Sequence, residues 1–332
     1  VEIKGAKIVV IGGGTGSFTL LSGLKHYASD ITAIVNMADD GGSTGQLRDE
    51  LGVLPPGDVR QCLVALSDSP RVRDLFNYRF EEGSFEGHAF GNLFLTALEK
   101  MTGSFAEAVD VADEVLNVNG QVVPVTLDNV RLIIRQRQGD DIHGEHNIDE
   151  ISFAKGEERP DLAYDGTATL NPKAKQAILD ADMVVLAPGD IYGSLGPALI
   201  VDGMKDALEN TKAQIIYVCN LVTKPGQTDG FMVHDFVDEI ERFIGSEVID
   251  YVLYNTELPQ KELLEKYTKD KEYIVKYDQK ICAKKHYKTK GVSLLSTVDL
   301  RSDKADKIAH TRSYIRHNAD GVARQLMKLY FS

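Results

Sequence analysis

Five stretches of this chain combine glycine with small polar or acidic residues, a mixture suited to gripping phosphate and sugar oxygens. The first is Gly12-Gly13-Gly14-Thr15-Gly16-Ser17, and the second is Asp39-Asp40-Gly41-Gly42-Ser43-Thr44-Gly45. Gly91-Asn92-Leu93 is shorter. Pro188-Gly189-Asp190-Ile191-Tyr192-Gly193 and a stretch from Asn220 through Lys224 to Gly230 complete the set. Glycine lets backbone approach a ligand closely, and the N–H groups at a helix start attract phosphate. Asp39 and Asp40 offer oxygen ligands for Mg²⁺ or acceptors for a sugar hydroxyl. The plainer reading is an Asp-Gly turn. Ser43 and Thr44 suit either a helix cap or a ligand contact, and Asn92 either a cap or a polar contact. Arg60 lies in a first helical turn, where the helix dipole disfavours a cation unless an anion offsets it.

These residues need elements that bring them to one edge. Lys7 to Ile11 is an apolar strand running into the first loop, and the spacing from Phe18 to Leu24 predicts a helix. Ile31 to Asn36 reads as the second strand, leading into the second loop. Strands over 182–187 and 213–219 precede the last two loops. Parallel neighbours share the rim at their carboxyl ends, so the strand-end loops would meet there and form one long polar crevice. The expected fold is α/β, a Rossmann-like three-layer parallel sheet with glycine-rich strand-end loops, in a single domain over 1–332. An antiparallel excursion is expected at about 120–165. Within it, 121–126 and 130–134 should pair as a hairpin around Leu127-Asp128-Asn129. The polar run from Gln138 to Asn147 reads as a solvated loop, and 148–153 as a short strand. Helices are expected over 104–116, from Asn171-Pro172 to Leu179, and from about Asp306 to Tyr330.

Composition narrows the function. The 332 residues carry a net charge of −13, which argues against bulk nucleic-acid binding. Cys62, Cys219 and Cys282 lie far apart, with no metal spacing and no disulfide framework, as expected in a reducing cytosol. No stretch suggests membrane insertion or a signal peptide. The G-x-x-x-x-G-K-[ST] pattern of an ATP-type loop is absent. Ser17 stands at the third-glycine position of the dinucleotide fingerprint, and Asn36 stands where a ribose-binding acid would end the second strand. Both weaken an NAD-dependent oxidoreductase reading, although NAD, with its diphosphate and ribose, could occupy the same crevice.

Taken together and in this order, Gly12 to Gly16, Asp39 to Gly45, Gly91-Asn92-Leu93, Pro188 to Tyr192 and Cys219 to Gly230 resemble the bacterial gluconeogenesis-factor family, the sister of 2-phospho-L-lactate transferase. The resemblance runs from about residue 6 to the last helix. It implies a cytoplasmic regulatory protein that binds UDP-sugars, with no established reaction, needed for growth on gluconeogenic carbon sources and for cell shape. The sister enzyme implies the alternative, an Mg²⁺-dependent transfer of a phospholactyl-type group from a guanosine diphosphate adduct to a deazaflavin alcohol. Asp190 departs from the Pro-Gly-Ser-x-Tyr form expected at that loop. The candidate nucleotide-binding residues are Gly12, Gly13, Gly14, Thr15, Gly16, Ser17, Asp39, Asp40, Ser43, Thr44, Asn92, Gly189, Asp190, Tyr192, Asn220 and Lys224. Asp39 and Asp40 are also the candidate Mg²⁺ ligands, and no catalytic residue is assigned. The expected partner is a nucleoside diphosphate sugar, with a homodimer as the candidate assembly.

Overall fold

The computed structural model describes residues 3–135, 141–145, 147, 152, 159–296 and 315–332. The chain begins with β1 (Ile3–Gly12), α1 (Gly14–Leu24) and β2 (Ala28–Val35). Five helices follow: α2 (Gly42–Leu51), α3 (Gly57–Leu66), α4 (Pro70–Asn77), α5 (Phe90–Thr102) and α6 (Phe105–Leu116). Next come β3 (Gln121–Pro124), β4 (Leu132–Arg135), β5 (Ile142–His143) and β6 (Asp161–Tyr164). The α/β rhythm resumes with α7 (Pro172–Asp180), β7 (Met183–Leu186), α8 (Gly196–Leu199), α9 (Met204–Asn210) and β8 (Gln214–Val218). The last elements are α10 (Val233–Ile244), β9 (Tyr251–Asn255), α11 (Lys261–Lys269), α12 (Gln279–Cys282), β10 (Lys288–Val292) and α13 (Ala319–Tyr330).

Seven strands form one sheet in the order β10-β9-β8-β7-β1-β2-β3, and every neighbouring pair is parallel. A strand covered on both faces reads as continuous apolar sequence. Ile8 to Ile11 and Met183 to Leu186 do so and are buried throughout. Ile11 lies opposite Ile34 on β2 and Leu186 on β7. From β1 the chain builds outward to β2 and β3, and later returns to the other side of β1 with β7. The junction of β1 and β7 is therefore a topological switch point, where ligands of open α/β sheets sit. The expected Rossmann-like parallel sheet with a small antiparallel addition is the fold observed.

Two expectations about the middle of the chain are corrected. Residues 121–126 and 130–134 do not form a hairpin. β3 is the edge strand of the main sheet, paired parallel to β2 with Ala33 opposite Val122. Pro124 fits there, since an edge strand tolerates a residue without an N–H. β4 belongs to a separate antiparallel sheet of order β5-β4-β6. The turn residues between them are held by distant partners. Asp128 Oδ2 accepts from Thr169 N at 2.7 Å, and Asn129 Oδ1 accepts from the Arg48 guanidinium at 2.7 Å. The antiparallel part thus starts at Leu132 rather than near 120. The strand expected at 148–153 lies almost wholly outside the described residues.

The helix ends mostly follow their local chemistry. Ser104 caps α6 and Asn171 caps α7, which carries Pro172 in its first turn. The last helix starts at Ala319, with Asn318 Oδ1 accepting from Gly321 N at 2.8 Å. His317 makes a bridge to Leu295, so 315–318 are not helical as expected, and 306–314 lie outside the described residues. One continuous cluster of buried residues runs from Ala6 to Leu329 and includes Leu132, Ile134 and Leu162 of the small sheet.

The start of α1 is pressed against the loop after β7. A side chain at Gly16 would overlap the carbonyl oxygen of Pro188, while one at Gly189 would meet only Ser194 Cβ, 3.9 Å away. Gly16→Ala is expected to lower stability by about 1–3 kcal/mol, the usual cost of overpacking. Gly189→Ala should stay within about 0.5 kcal/mol of the parent. Paired chemical denaturation curves check both values.

Candidate functional site

The loops leaving β1, β2, β7 and β8 meet at the carboxyl rim of the sheet. Gly12 and Gly14 have φ of +156° and +59°, and Gly13 stands just before α1. The N–H groups of the first turn of a helix have no partner within it, so the start of α1 presents a field favourable to an anion. Thr15 is exposed, Gly14 and Gly16 are half-buried, and Gly12 and Gly13 are buried. Ser17 is also buried, and its hydroxyl has no hydrogen-bond partner.

Asp58 lies against this loop from the first turn of α3. Its carboxylate fills the place that a side chain at Gly13 would need, and it accepts from the Gly14 N–H and from Asn36. Burial, then the charge of Asp39, push its pKa up to about 7. Asn36 at the end of β2 is fully engaged. It donates to Gly193 O at 3.3 Å and accepts from Ala38 N at 3.1 Å.

The second loop is tied together by Asp39. Its Oδ1 accepts from Gly41 N at 3.0 Å, and the Thr44 hydroxyl donates to the same carboxylate. The Asp-Gly turn is therefore present, and burial still raises the Asp39 pKa. Ser43 and Thr44 do not cap α2, which starts at Gly42 behind Gly41. Ser43 Oγ instead contacts His88 Nδ1 at 2.9 Å and accepts from Asn92 Nδ2 at 3.2 Å. Asn92 is no cap either, because Ala89 precedes α5. Asn92 Oδ1 accepts from Arg60 Nε at 2.9 Å. Arg60 is buried, which lowers its pKa to about 10 and leaves it charged. Ser43, Asn92 and Arg60 thus form a buried polar chain supporting the loops from beneath.

In the third loop Asp190 Oδ1 accepts from the N–H groups of Tyr192 and Gly193, at 3.0 and 3.1 Å. Its Oδ2 pairs with Lys224 Nζ, joining the third loop to the fourth. Asn220 makes a second join, accepting from Gly189 N at 3.3 Å and donating to Gly189 O at 2.7 Å. The side chain of the candidate Tyr192 turns into the core. Its ring is fully buried and its hydroxyl donates to Glu239 Oε1 at 2.7 Å. The wide turn over Ile191–Leu195 carries that ring into the core, so any contact of this position with a ligand would come from its backbone.

Two acids of the site were missed. An acid in the first turn of a helix, as Asp58 is, reads as an ordinary dipole partner. Glu145 sits in a polar run that reads as solvated loop, yet it folds back over the crevice. Gly144 N donates to Leu132 O at 2.8 Å, and Glu145 Oε1 lies 3.1 Å from where a Gly193 side chain would begin. Burial raises the Glu145 pKa well above the usual range, helped by Asp39, Asp58, Asp190 and Asp40.

Buried, like-charged carboxylates supply hard oxygen donors of the kind Mg²⁺ takes. Among the described residues no group of three acids, histidines or cysteines converges to hold an ion by itself. An ion between Asp39 and Asp40 would need ligand oxygens to complete its shell, the usual habit of Mg²⁺ beside phosphates. The donor set therefore fits that ion when a phosphate ligand is present.

Residues 8–297 match the family described as 2-phospho-L-lactate transferase CofD. The gluconeogenesis factor of Bacillus subtilis is 36% identical over 325 residues, covering 97% of this chain and 98% of that protein. This chain belongs to the gluconeogenesis-factor family, the sister of 2-phospho-L-lactate transferase. The gluconeogenesis factor of Listeria innocua is 39% identical over 267 residues, covering 78% of this chain and 80% of that protein. A crystal structure of a member of the upf0052 family from Bacillus halodurans superposes with a TM-score of 0.86 at 34% identity, covering 97% of this chain and 99% of that one.

Asp58 makes a pH prediction. The folded state holds a proton up to about pH 7 that the unfolded chain releases near an ordinary carboxylate pKa of 3.8. Its contribution to stability is therefore full below about pH 4 and is lost as pH rises through about 7. Asp58→Asn should reduce this loss by on the order of a few kcal/mol between pH 4 and 8. Denaturation curves in EDTA across that range are the check, and parallel pH profiles would contradict it.

Proposed function

We propose that this protein is a regulatory protein that binds a nucleoside diphosphate sugar, a UDP-sugar, in the crevice at the carboxyl rim. It is needed for growth on gluconeogenic carbon sources and for cell-shape maintenance, and it acts in the cytoplasm, as a homodimer. The observation that carries the binding reading is the meeting of the start of α1 with the β1, β2, β7 and β8 loops at the switch point. The α1 end suits a diphosphate, and the acids across the crevice suit hydroxyl groups. The gluconeogenesis-factor names of its relatives support the physiological part. Among the described residues no helix is long and apolar enough to cross a membrane.

The grouping of Asp39, Asp40, Asp58, Asp190 and Glu145 favours a second reading, a Mg²⁺-dependent transferase like the sister enzyme. When bound, Mg²⁺ would neutralise phosphate charge between Asp39 and Asp40. In that reading Asp58 holds the Gly14 amide in place, and Lys224 holds Asp190. A dehydrogenase is disfavoured, because Asn36 spends its side chain on Ala38 and Gly193 and no acid ends β2.

Calorimetry separates the two readings. UDP-sugar binding should persist in EDTA, and Asp40→Asn should weaken it by about 1–3 kcal/mol, the scale of a charged hydrogen bond. Complete loss of binding on chelation would favour the transferase. The pure protein should reduce no NAD with any added substrate, as followed by absorbance.

A further inference from the structure

A second concavity lies at the far end of the sheet from the rim. Its volume is about 460 Å³, within the range of small-molecule sites. The floor is one face of three neighbouring strands. Lys7 and Val9 of β1, Asp30 and Thr32 of β2 and Gln121 of β3 line it, since alternate residues share a face. Lys7 lies roughly 16 Å of strand before Gly12, so this pocket is separate from the nucleotide crevice. One wall is α7, with Ala177 and Asp180, and the other is α6, with Asp113. Lys173 of α7 pairs with Asp110 of α6 at 2.8 Å and ties the two walls together.

Two lining groups lack the partners that buried polar groups usually have. Thr32 is 8% exposed, and no hydrogen bond of its hydroxyl is found among the described residues. Asp113 Oδ1 is shut off from solvent and has no hydrogen-bond partner. Burial pushes the Asp113 pKa up to about 7, against a bond from the Val122 N–H. Its carboxyl therefore stands half-ionised near neutral pH. The lining carries Asp30, Asp110, Asp113 and Asp180 against Lys7 and Lys173, and Lys173 is spent on Asp110. An anion would be repelled by that excess of acids. A bare metal ion lacks a cage, because no three acids, histidines or cysteines converge among the described residues. Val9, Val123 and Ala177 supply apolar surface that suits methylene groups, and the acids suit ammonium donors.

We propose that this pocket binds an aliphatic diamine or polyamine, with its methylenes over Val9 and Val123 and its ammonium groups at Asp113 and Asp30. The Thr32 hydroxyl accepts a further ammonium hydrogen. The site is independent of the UDP-sugar reading. Its pH dependence follows from the groups around Asp113. Asp30 of β2, Asp110 of α6 and Asp180 of α7 oppose ionisation there, while Lys7 of β1 and Lys173 of α7 favour it. An ammonium ion beside Asp113 favours the ionised form, so binding below pH 7 expels a proton. Affinity therefore rises with pH and levels off above about pH 7.

The test is calorimetry of putrescine against the whole chain, with n-butylamine and Mg²⁺ as comparison ligands. Putrescine should bind saturably and about tenfold more tightly at pH 8 than at pH 6. At pH 6 it should release about one proton per site, read as a heat that depends on the buffer. n-Butylamine, with one ammonium group fewer, should bind more weakly. Asp113→Asn should weaken putrescine by about tenfold and abolish the proton release. Asp30→Asn changes an exposed position and should weaken putrescine about twofold to fivefold, so it carries the test if the Asp113 variant does not fold. Absence of saturable binding, equal affinity at the two pH values, or unchanged affinity in both variants would overturn the site. Mg²⁺ binding that Asp113→Asn removes and putrescine does not displace would overturn the amine assignment.

Discussion

The contact between the start of α1 and the Pro188 carbonyl governs the rest of the site. β1 is an interior strand, flanked by β2 and β7, and every strand of its sheet runs the same way. The helix after β1 must therefore turn up within the width of one strand, beside the loop leaving β7. Gly16 allows it, because no side chain separates the helix from Pro188. Asn220 and Lys224 then join the β7 loop to the β8 loop. Asp58 joins the β1 loop to α3, and Asn36 joins the end of β2 to Gly193. The candidate residues are held by one another as much as by the sheet.

Electrostatics divides that crevice in two. One side is the amino end of α1, which has no acid in its own first turn but whose Gly14 N–H is already bonded to Asp58 of α3. The other collects Asp39, Asp40, Asp190 and Glu145, with Arg60 buried below and Lys224 at the edge. The insertion that delivers Glu145 is itself anchored away from the rim. Arg242 reaches Glu239 on α10, Asp161 on β6 and Pro160 O, while Arg159 reaches Glu239 and lies 4.3 Å over the Phe231 ring. Burial opposes ionisation of Glu239, but bonds from Arg242, Tyr192 and Arg159 hold its pKa below the usual range. That buried carboxylate links the small sheet to Tyr192, and so to the third loop.

Much of this was legible in the residues, for reasons that differ from element to element. β1, β2, β7 and β8 are apolar runs ending in glycine or small polar residues, and local pattern suffices to place them. Ser104 and Asn171 mark helix starts by short-range capping, which is also local. The hairpin expected around Leu127-Asp128-Asn129 failed because strand pairing is a tertiary choice. β2 offered β3 a parallel edge, and Thr169 and Arg48 claimed the turn residues. Asp58 and Glu145 were invisible as site residues because their setting is built by chain segments distant from them. The loop sequence marks Tyr192 as a rim residue, and the wide helical turn there directs its side chain into the core. Sequence placed the loops at the rim and could not say which side chains face outward from it.

The most direct test of the central claim, that a nucleoside diphosphate rests on the β1 and β2 loops at the switch point, is amide hydrogen exchange with and without UDP-glucose. Backbone amides bonded or covered by a ligand exchange more slowly. The account predicts strong protection over 13–18, weaker protection over 41–46 and 189–194, and little change in α11 or along the amino-terminal edge of the sheet. Protection confined to that opposite edge, or no protection at saturating ligand, would contradict it.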